Sequence, residues 1–343
     1  MRTLCRQELN RALLARQGLL DRVDLPLAAA LEQFAGIQAQ YAPSMYVGLW
    51  SRVERFERAA LTAALEQREV VQATLMRATI HLVSPRDFWP FALATRDARR
   101  TLWLRATPDA PSARAMAGAA RRLRRRLEAD GRLRRGEIEA LLGKRVANGV
   151  GLWLDLVRVP PSGTWERRRA DLYALAEDRV GPPASGVRES TERLVRSYLA
   201  GFGPATAKDV AAFTGLGLTA LRPALARLEL ERFRGEGGEV LLDLPGAPLP
   251  DPGTPAPPRY LPTWDATLLV HARRTGLLPE EHRAKIFSTK TPHSFATFLV
   301  DGAVAGTWRD ERGAIELEPF GKLDAASRRL LAAEGERLAA FHA

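Results

Sequence analysis

Phe34-Ala35-Gly36-Ile37-Gln38-Ala39-Gln40-Tyr41-Ala42-Pro43-Ser44 carries two glutamines one residue apart, and where the helix before them ends sets the layout of the first third of the chain. Side chains at i and i+2 point about 200° apart on an α-helix but share one face of an extended segment. The pair therefore serves one target only where the backbone has left the helix. Gly36 is a weak helix former and Pro43 pushes Ala42 towards an extended conformation, so a helix running from Pro26 ends near Gly36. The two amides then converge at a helix exit. Spacing leaves a second reading open, in which one amide caps backbone groups and the other is solvated.

Outward from this stretch, residues 7–18 and 27–34 read as short apolar-striped helices, and residues 56–67 as a third with Leu61 and Leu65 on one face. Residues 70–83 are rich in β-branched side chains and alternate as a hairpin. Three helices and a β-ribbon make a winged helix over residues 1–84. In the ribbon Arg77, Thr79 and His81 share a face, since strand side chains repeat every two residues. Arg77 suits a phosphate. His81 either hydrogen-bonds near the glutamines or is a satisfied, half-buried strand histidine.

Residues 85–180 repeat the pattern. A helix over 88–104 and a basic helix over 113–130, with the run Arg121-Arg122-Leu123-Arg124-Arg125-Arg126, precede a short helix ended by Gly143 and a wing turning at Pro160-Pro161-Ser162-Gly163. The arginine run grips backbone phosphate or forms a solvated helix face. Linker residues follow at Gly181-Pro182-Pro183-Ala184-Ser185-Gly186. Residues 187–248 then give helix, a second helix capped by Thr206, a glycine turn at Thr214-Gly215-Leu216, a third helix over 218–228 and a strand pair, the helix-turn-helix order. Lys208 and Arg222 are its candidate DNA contacts. After a proline-rich linker, residues 256–343 read mostly as strands, with Asp301-Gly302 joining two of them in a hairpin, and a helix closing the chain. His271, Arg273, Arg274, Lys285, Lys290 and Arg309 supply basic edges there. The expected fold class is α+β: tandem winged helix-turn-helix domains, three in number, with a C-terminal β-barrel-like domain, a small barrel or a curled sheet.

Composition narrows the function. The 343 residues hold 51 Lys+Arg against 40 Asp+Glu, a formal charge of +11, which favours polyanionic partners, although a GC-rich genome also enriches arginine. No apolar run approaches the ~18 residues that span a membrane. The N-terminus lacks the apolar core of a signal peptide, so the expected address is the cytoplasm, at the nucleoid. A lone cysteine, Cys5, excludes an intrachain disulfide and makes a zinc cluster improbable. Neither metal nor cofactor is expected.

The run Ile37-Gln38-Ala39-Gln40, the later Arg77-Ala78-Thr79-Ile80-His81-Leu82-Val83 and the C-terminal Leu299-Val300-Asp301-Gly302-Ala303-Val304-Ala305-Gly306-Thr307-Trp308-Arg309 together resemble the winged-helix DNA glycosylase family, AlkZ/YcaQ-like, of the azinomycin-resistance type. The resemblance covers nearly the whole chain in the same order, and the signature is the Gln-x-Gln form rather than Gln-x-Asp. Ala78 and Ile80 depart from the family pattern, which has glycine and leucine there. What the resemblance implies is a monofunctional glycosylase acting as a monomer on double-stranded DNA with N7-alkylated purines or interstrand crosslinks, with Gln38 and Gln40 catalytic and Arg77 and His81 beside them. Residue chemistry is compatible with this. N7 alkylation makes the base a cationic leaving group that departs neutral without protonation. An amide does not titrate, but its carbonyl accepts and its amino group donates, which is enough to orient water and stabilise a sugar cation. A non-catalytic winged-helix transcriptional regulator uses the same basic charge but leaves the glutamines without purpose. For an RNA-binding scaffold, no aromatic-rich strand motif is present.

Overall fold

A computed structural model of the chain describes residues 1–269, 274–288 and 293–343. The glutamine stretch does leave the helix. After β1 (Thr3–Leu4) and α1 (Arg6–Arg16), α2 (Leu27–Gln33) ends when the Gly36 N–H reaches back to the Leu31 carbonyl and the Ala35 N–H to that of Glu32. Ala35 and Gly36 take left-handed conformations, φ 59° and 79°, closing the helix in a Schellman motif. The chain then enters β2 (Ile37–Gln38) and, past Gln40, a helix unforeseen in the sequence, α3 (Ala42–Trp50), every residue of which is buried. Pro43 sits in its first turn, where a missing N–H costs nothing. Proline read as a breaker is here a starter. α4 (Arg58–Glu66), β3 (Val71–Thr74) and β4 (Ile80–Val83) complete the region.

The next segment runs α5 (Pro85–Ala106), α6 (Ala113–Asp130), β5 (Leu133–Arg134), α7 (Arg135–Leu142), α8 (Lys144–Gly149), β6 (Leu156–Arg158), β7 (Leu172–Leu175) and α9 (Glu177–Val180). Its strands do not form a separate wing. β3 pairs with β6, so one six-stranded sheet of order β2-β4-β3-β6-β7-β5 spans both regions, with the Gln38 strand at one edge.

α10 (Val187–Phe202), α11 (Ala207–Thr214), α12 (Leu218–Arg227), β8 (Glu231–Gly235) and β9 (Val240–Asp243) follow as expected, and Thr206 with Asp209 forms a capping box on α11. The N-terminus joins this region rather than the first: β1 pairs in parallel with β8, and α1 packs on α10. A buried bidentate pair, Arg16 Nη1 and Nη2 at 2.7 and 2.8 Å from the Asp243 carboxylate, ties α1 to β9. Tyr198, Phe202 and Phe213, with ring centroids 4.9–5.6 Å apart, fill the core beneath.

The C-terminal region contains β10 (Arg259–Leu261), α13 (Glu280–Ile286), β11 (Phe287–Ser288), β12 (His293–Ser294), β13 (Thr297–Val300), β14 (Ala303–Glu311), β15 (Ala314–Pro319) and α14 (Ala325–His342). The Asp301-Gly302 hairpin is present, both residues at positive φ, 44° and 76°, as a type I′ turn requires. The expected barrel is not. Four antiparallel strands in order β10-β13-β14-β15 form an open sheet, too few to close on themselves. α14 packs on it instead, burying Leu331 and Leu338. Among the described residues no helix is long and apolar enough to cross a membrane.

Candidate active site and nucleic-acid interface

Gln38 stands directly opposite His81 across the β2–β4 pair, which puts both side chains on one face of the sheet. Both are nearly sealed, at 5% and 2% exposure. Gln38 Oε1 accepts from Arg77 Nη2 at 3.3 Å. Gln40 is exposed, and its Oε1 accepts the Ile80 N–H at 2.6 Å, just beyond the point where the Ala39 N–H donates to the Ile80 carbonyl at 2.8 Å. The Gln40 oxygen thus extends the ladder that its own backbone leaves. One segment, residues 77–81, therefore holds both glutamines. The backbone-capping reading holds for the Gln40 oxygen, but among the described residues neither amide nitrogen has a partner.

Arg77 does not share the strand face with Thr79 and His81. The strand begins only at Ile80, and Met76–Ala78 form a tight turn with Arg77 at φ 54° and Ala78 at φ 59°. The missing family glycine is thus an alanine in a conformation that favours glycine. From this turn the Arg77 guanidinium donates to the Phe213 carbonyl of α11 and lies 5.2 Å from the Phe213 ring centroid. Burial pushes its pKa down to about 10, still charged at neutral pH. Gly215, left-handed at φ 77°, ends α11 beside this turn, where a Cβ would make ordinary contact with the Arg77 nitrogen at 3.4 Å. Nothing in the sequence signals this contact, whose partners are 136 positions apart.

His81 Nδ1 lies 3.0 Å from the Thr79 carbonyl. A carbonyl only accepts, so the proton sits on Nδ1 and Nε2 is bare. Burial first, then the Arg77 and Arg99 guanidiniums, lower its pKa to about 3 against the opposing Thr79 hydrogen bond. His81 is a neutral imidazole at pH 7. No carboxylate is among the charges that act on it.

The remaining basic candidates divide. Lys208, in the first turn of α11, and Arg222, on α12, are exposed with no carboxylate partner among the described residues. Arg274 donates to the Pro204 carbonyl at 2.5 Å and lies 3.2 Å from Asp209, so it anchors the start of α11. Arg309 is spread between Glu316 at 2.5 Å and Glu311 at 3.0 Å. Arg273 and Lys290 lie outside the described residues, as does His271. In the arginine run of α6, Arg124 pairs with Glu177 and Arg126 with Asp130, each at 2.8 Å, while Arg121 and Arg125 are exposed. Among the described residues no three metal-ligating side chains cluster.

Among solved structures, the Streptomyces sahachiroi DNA glycosylase AlkZ superposes with a TM-score of 0.81 at 18% identity, over 100% of this chain and 97% of that one. A search of curated protein sequences returns no match. The model of the AlkZ-like DNA glycosylase family matches residues 31–341, a span that holds the glutamine pair, the Arg77 turn and the C-terminal hairpin, and the chain belongs to that family.

Proposed function

We propose that this glycosylase hydrolyses the N-glycosidic bond of cationic N7-alkylated purines in double-stranded DNA, crosslinked purines included, as a monomer, with Gln38 and Gln40 at the reacting centre. The observation that carries the reading is a site of two held amides and a neutral histidine with no carboxylate acting on it. Among the described residues no carboxylate acts on His81 and the amides do not titrate, so the site offers no acid to protonate a leaving base. An N7-alkylated purine needs none: as C1′–N9 breaks, the bonding electrons neutralise the imidazolium, and the base leaves uncharged. Water adds to the sugar cation and its proton passes to solvent. Arg77 and the Ile80 N–H each occupy one lone pair of a glutamine oxygen, which fixes the orientation of both amides. A second lone pair and an NH2 group remain on each for the water, and the fixed dipoles meet the developing charge without reorganisation.

The test is release of N7-methylguanine from a single-lesion duplex by wild type, Gln38→Ala and Gln40→Ala, with duplex binding followed alongside. Release that falls at least about a hundredfold in either variant, a loss typical of removing one electrostatic donor, with binding retained, is expected. Comparable excision of uracil, a neutral leaving group, refutes the acid-free mechanism. Tight binding to undamaged operator-like DNA with no release favours a regulator.

A further inference from the structure

Arg158, on β6 of the six-stranded sheet, is a cation on which no carboxylate acts among the described residues. Its Nη1 donates to the Thr74 hydroxyl at 3.1 Å and its Nε to the Ala170 carbonyl at 3.3 Å, and the Tyr173 ring centroid lies 5.2 Å away, directly across the β6–β7 pair. Each of these partners is neutral at pH 7. Burial pushes the Arg158 pKa down, Tyr173 opposes this, and the Arg135 guanidinium facing it adds to the push. A desolvated cation set against another is costly unless an anion joins them. The two guanidiniums line one pocket of about 90 Å³, with Thr74, Asn148 and Tyr173 in its wall. Arg135 is steered there by the Ala147 carbonyl at 2.9 Å and by Asn148 Oδ1. Its carboxylate partner, Glu139 at 2.8 Å, stays outside the wall, and among the described residues no acidic side chain lines the pocket. Asn148 is exposed and both arginines are half-buried, so the pocket opens to solvent.

We infer that this pocket binds one phosphate group, held between Arg135 and Arg158. Charge selects an anion. Each guanidinium carries five N–H groups and uses only part of them in the bonds above, so both keep donors for a tetrahedral oxyanion, the match that makes arginine a phosphate binder. Size narrows the choice. At about 90 Å³ the pocket holds the equivalent of roughly three waters at ~30 Å³ each and lies well below the ~300 Å³ where ligand pockets begin, so a nucleobase does not enter with the phosphate. Location separates the site from the glutamines. Thr74 and Gln72, the Arg158 partner on β3, alternate with Ala73, which stands opposite His81, and the pocket therefore lies on the reverse of the face that carries His81 and Gln38. The phosphate comes from the backbone of bound duplex or free from solution, and in either case it stands apart from the excision chemistry.

The experiment has two arms, each on the intact wild type, Arg158→Gln and Asn148→Asp: calorimetric titration with inorganic phosphate at fixed ionic strength, and affinity for an undamaged duplex measured against salt. Saturable binding of one phosphate per chain is expected, weakened about tenfold or more in both variants, the scale of one charge-assisted hydrogen bond. With salt slopes unchanged in the variants, that result makes free phosphate the ligand. A slope of log affinity against log salt that is shallower by about 0.9 in both variants makes it a backbone phosphate. Asn148→Asp puts a carboxylate at an exposed position of the mouth, so it decides the matter where Arg158→Gln fails to fold. Phosphate affinity and salt slope both equal in wild type and Asn148→Asp, or no saturable phosphate binding with unchanged slopes, overturns the inference and leaves a water-filled crevice.

Discussion

Replacing Arg77 with methionine should separate stability from catalysis. Burial lowers the Arg77 pKa from 12.5 to about 10, which corresponds to about 3 kcal/mol against the charged form. Three contacts oppose that cost: the bond to the Phe213 carbonyl, worth about 1.5–3 kcal/mol for a charged donor, the Phe213 ring at 5.2 Å, worth about 0.5–2 kcal/mol, and the bond to Gln38 Oε1, which at 3.3 Å is past the usual range and weak. The sum is close to zero. Methionine keeps the methylenes that pack beside Gly215 and removes both the buried charge and its bonds. Arg77→Met should therefore change unfolding free energy by no more than about 1 kcal/mol. Gln38, by contrast, loses the donor that orients its oxygen, and misplacement of a positioned group costs up to about a hundredfold. Single-turnover release of N7-methylguanine at saturating enzyme should fall roughly 10- to 100-fold, while the urea midpoint barely moves. A loss of more than about 3 kcal/mol with an unchanged rate per folded molecule would make Arg77 a strut between the first sheet and α11, and the positioning argument would fail.

His81 sets a pH dependence of stability. Its folded pKa is about 3 and its unfolded value about 6.5, so only the unfolded chain takes up the proton between those values; stability is full above pH 6.5 and falls as pH drops. From pH 7.5 to 4.5 the loss from this residue should be about 2.5–3 kcal/mol, seen as a urea-midpoint shift that His81→Gln lacks, and release activity should show no His81 inflection near pH 6.5. Asp243→Ala strands the buried Arg16 guanidinium and should destabilise by about 3–5 kcal/mol, with Asp243→Leu plus Arg16→Met recovering much of it in the same unfolding assay. Ala78→Gly relieves a left-handed alanine and should stabilise by about 0.5–1 kcal/mol; a lower urea midpoint would show that the turn carries no strain at that position.

What the sequence made legible was local. Gly36 marked a helix end within reach, Thr206 announced a cap, and Asp301-Gly302 announced a hairpin, because each works through bonds spanning a few residues. What it hid was long-range. α3 was lost because Pro43 signals a helix start as well as a stop, and an all-buried helix shows no amphipathic stripe. The shared sheet was hidden because a strand pattern states which residues alternate, not which strand they pair with. The barrel was expected from strand density alone, and density does not fix closure. At the site, the pattern named both glutamines and the 77–81 segment, but period-two reasoning failed at Arg77, where a left-handed turn interrupts the ribbon.

The arginine excess divides by position. Arg11, Arg16, Arg52, Arg99 and Arg259 are all buried, and each is bonded across the fold: Arg16 to Asp243, Arg52 to Asp265, Arg11 to Asp301, Arg99 to the Thr74 carbonyl and Arg259 to that of Leu20. Guanidinium suits this use, since its planar fork satisfies several carbonyl and carboxylate oxygens at once. These residues contribute to the net charge of +11 but offer no donor to a phosphate. Most of the other basic side chains are exposed, among them Lys208 and Arg222 on α11 and α12 and Arg121 and Arg125 on α6. Arg77 connects the two groups. It is enclosed like the bracing arginines and bonded to α11 as they are to their partners, yet its other hand holds Gln38. The helix pair that presents Lys208 and Arg222 and the strand that presents the glutamine are thus set against each other by one side chain. A displacement of α11 would reach Gln38 through that guanidinium, since Nη1 is held by the Phe213 carbonyl and Nη2 holds the Gln38 oxygen.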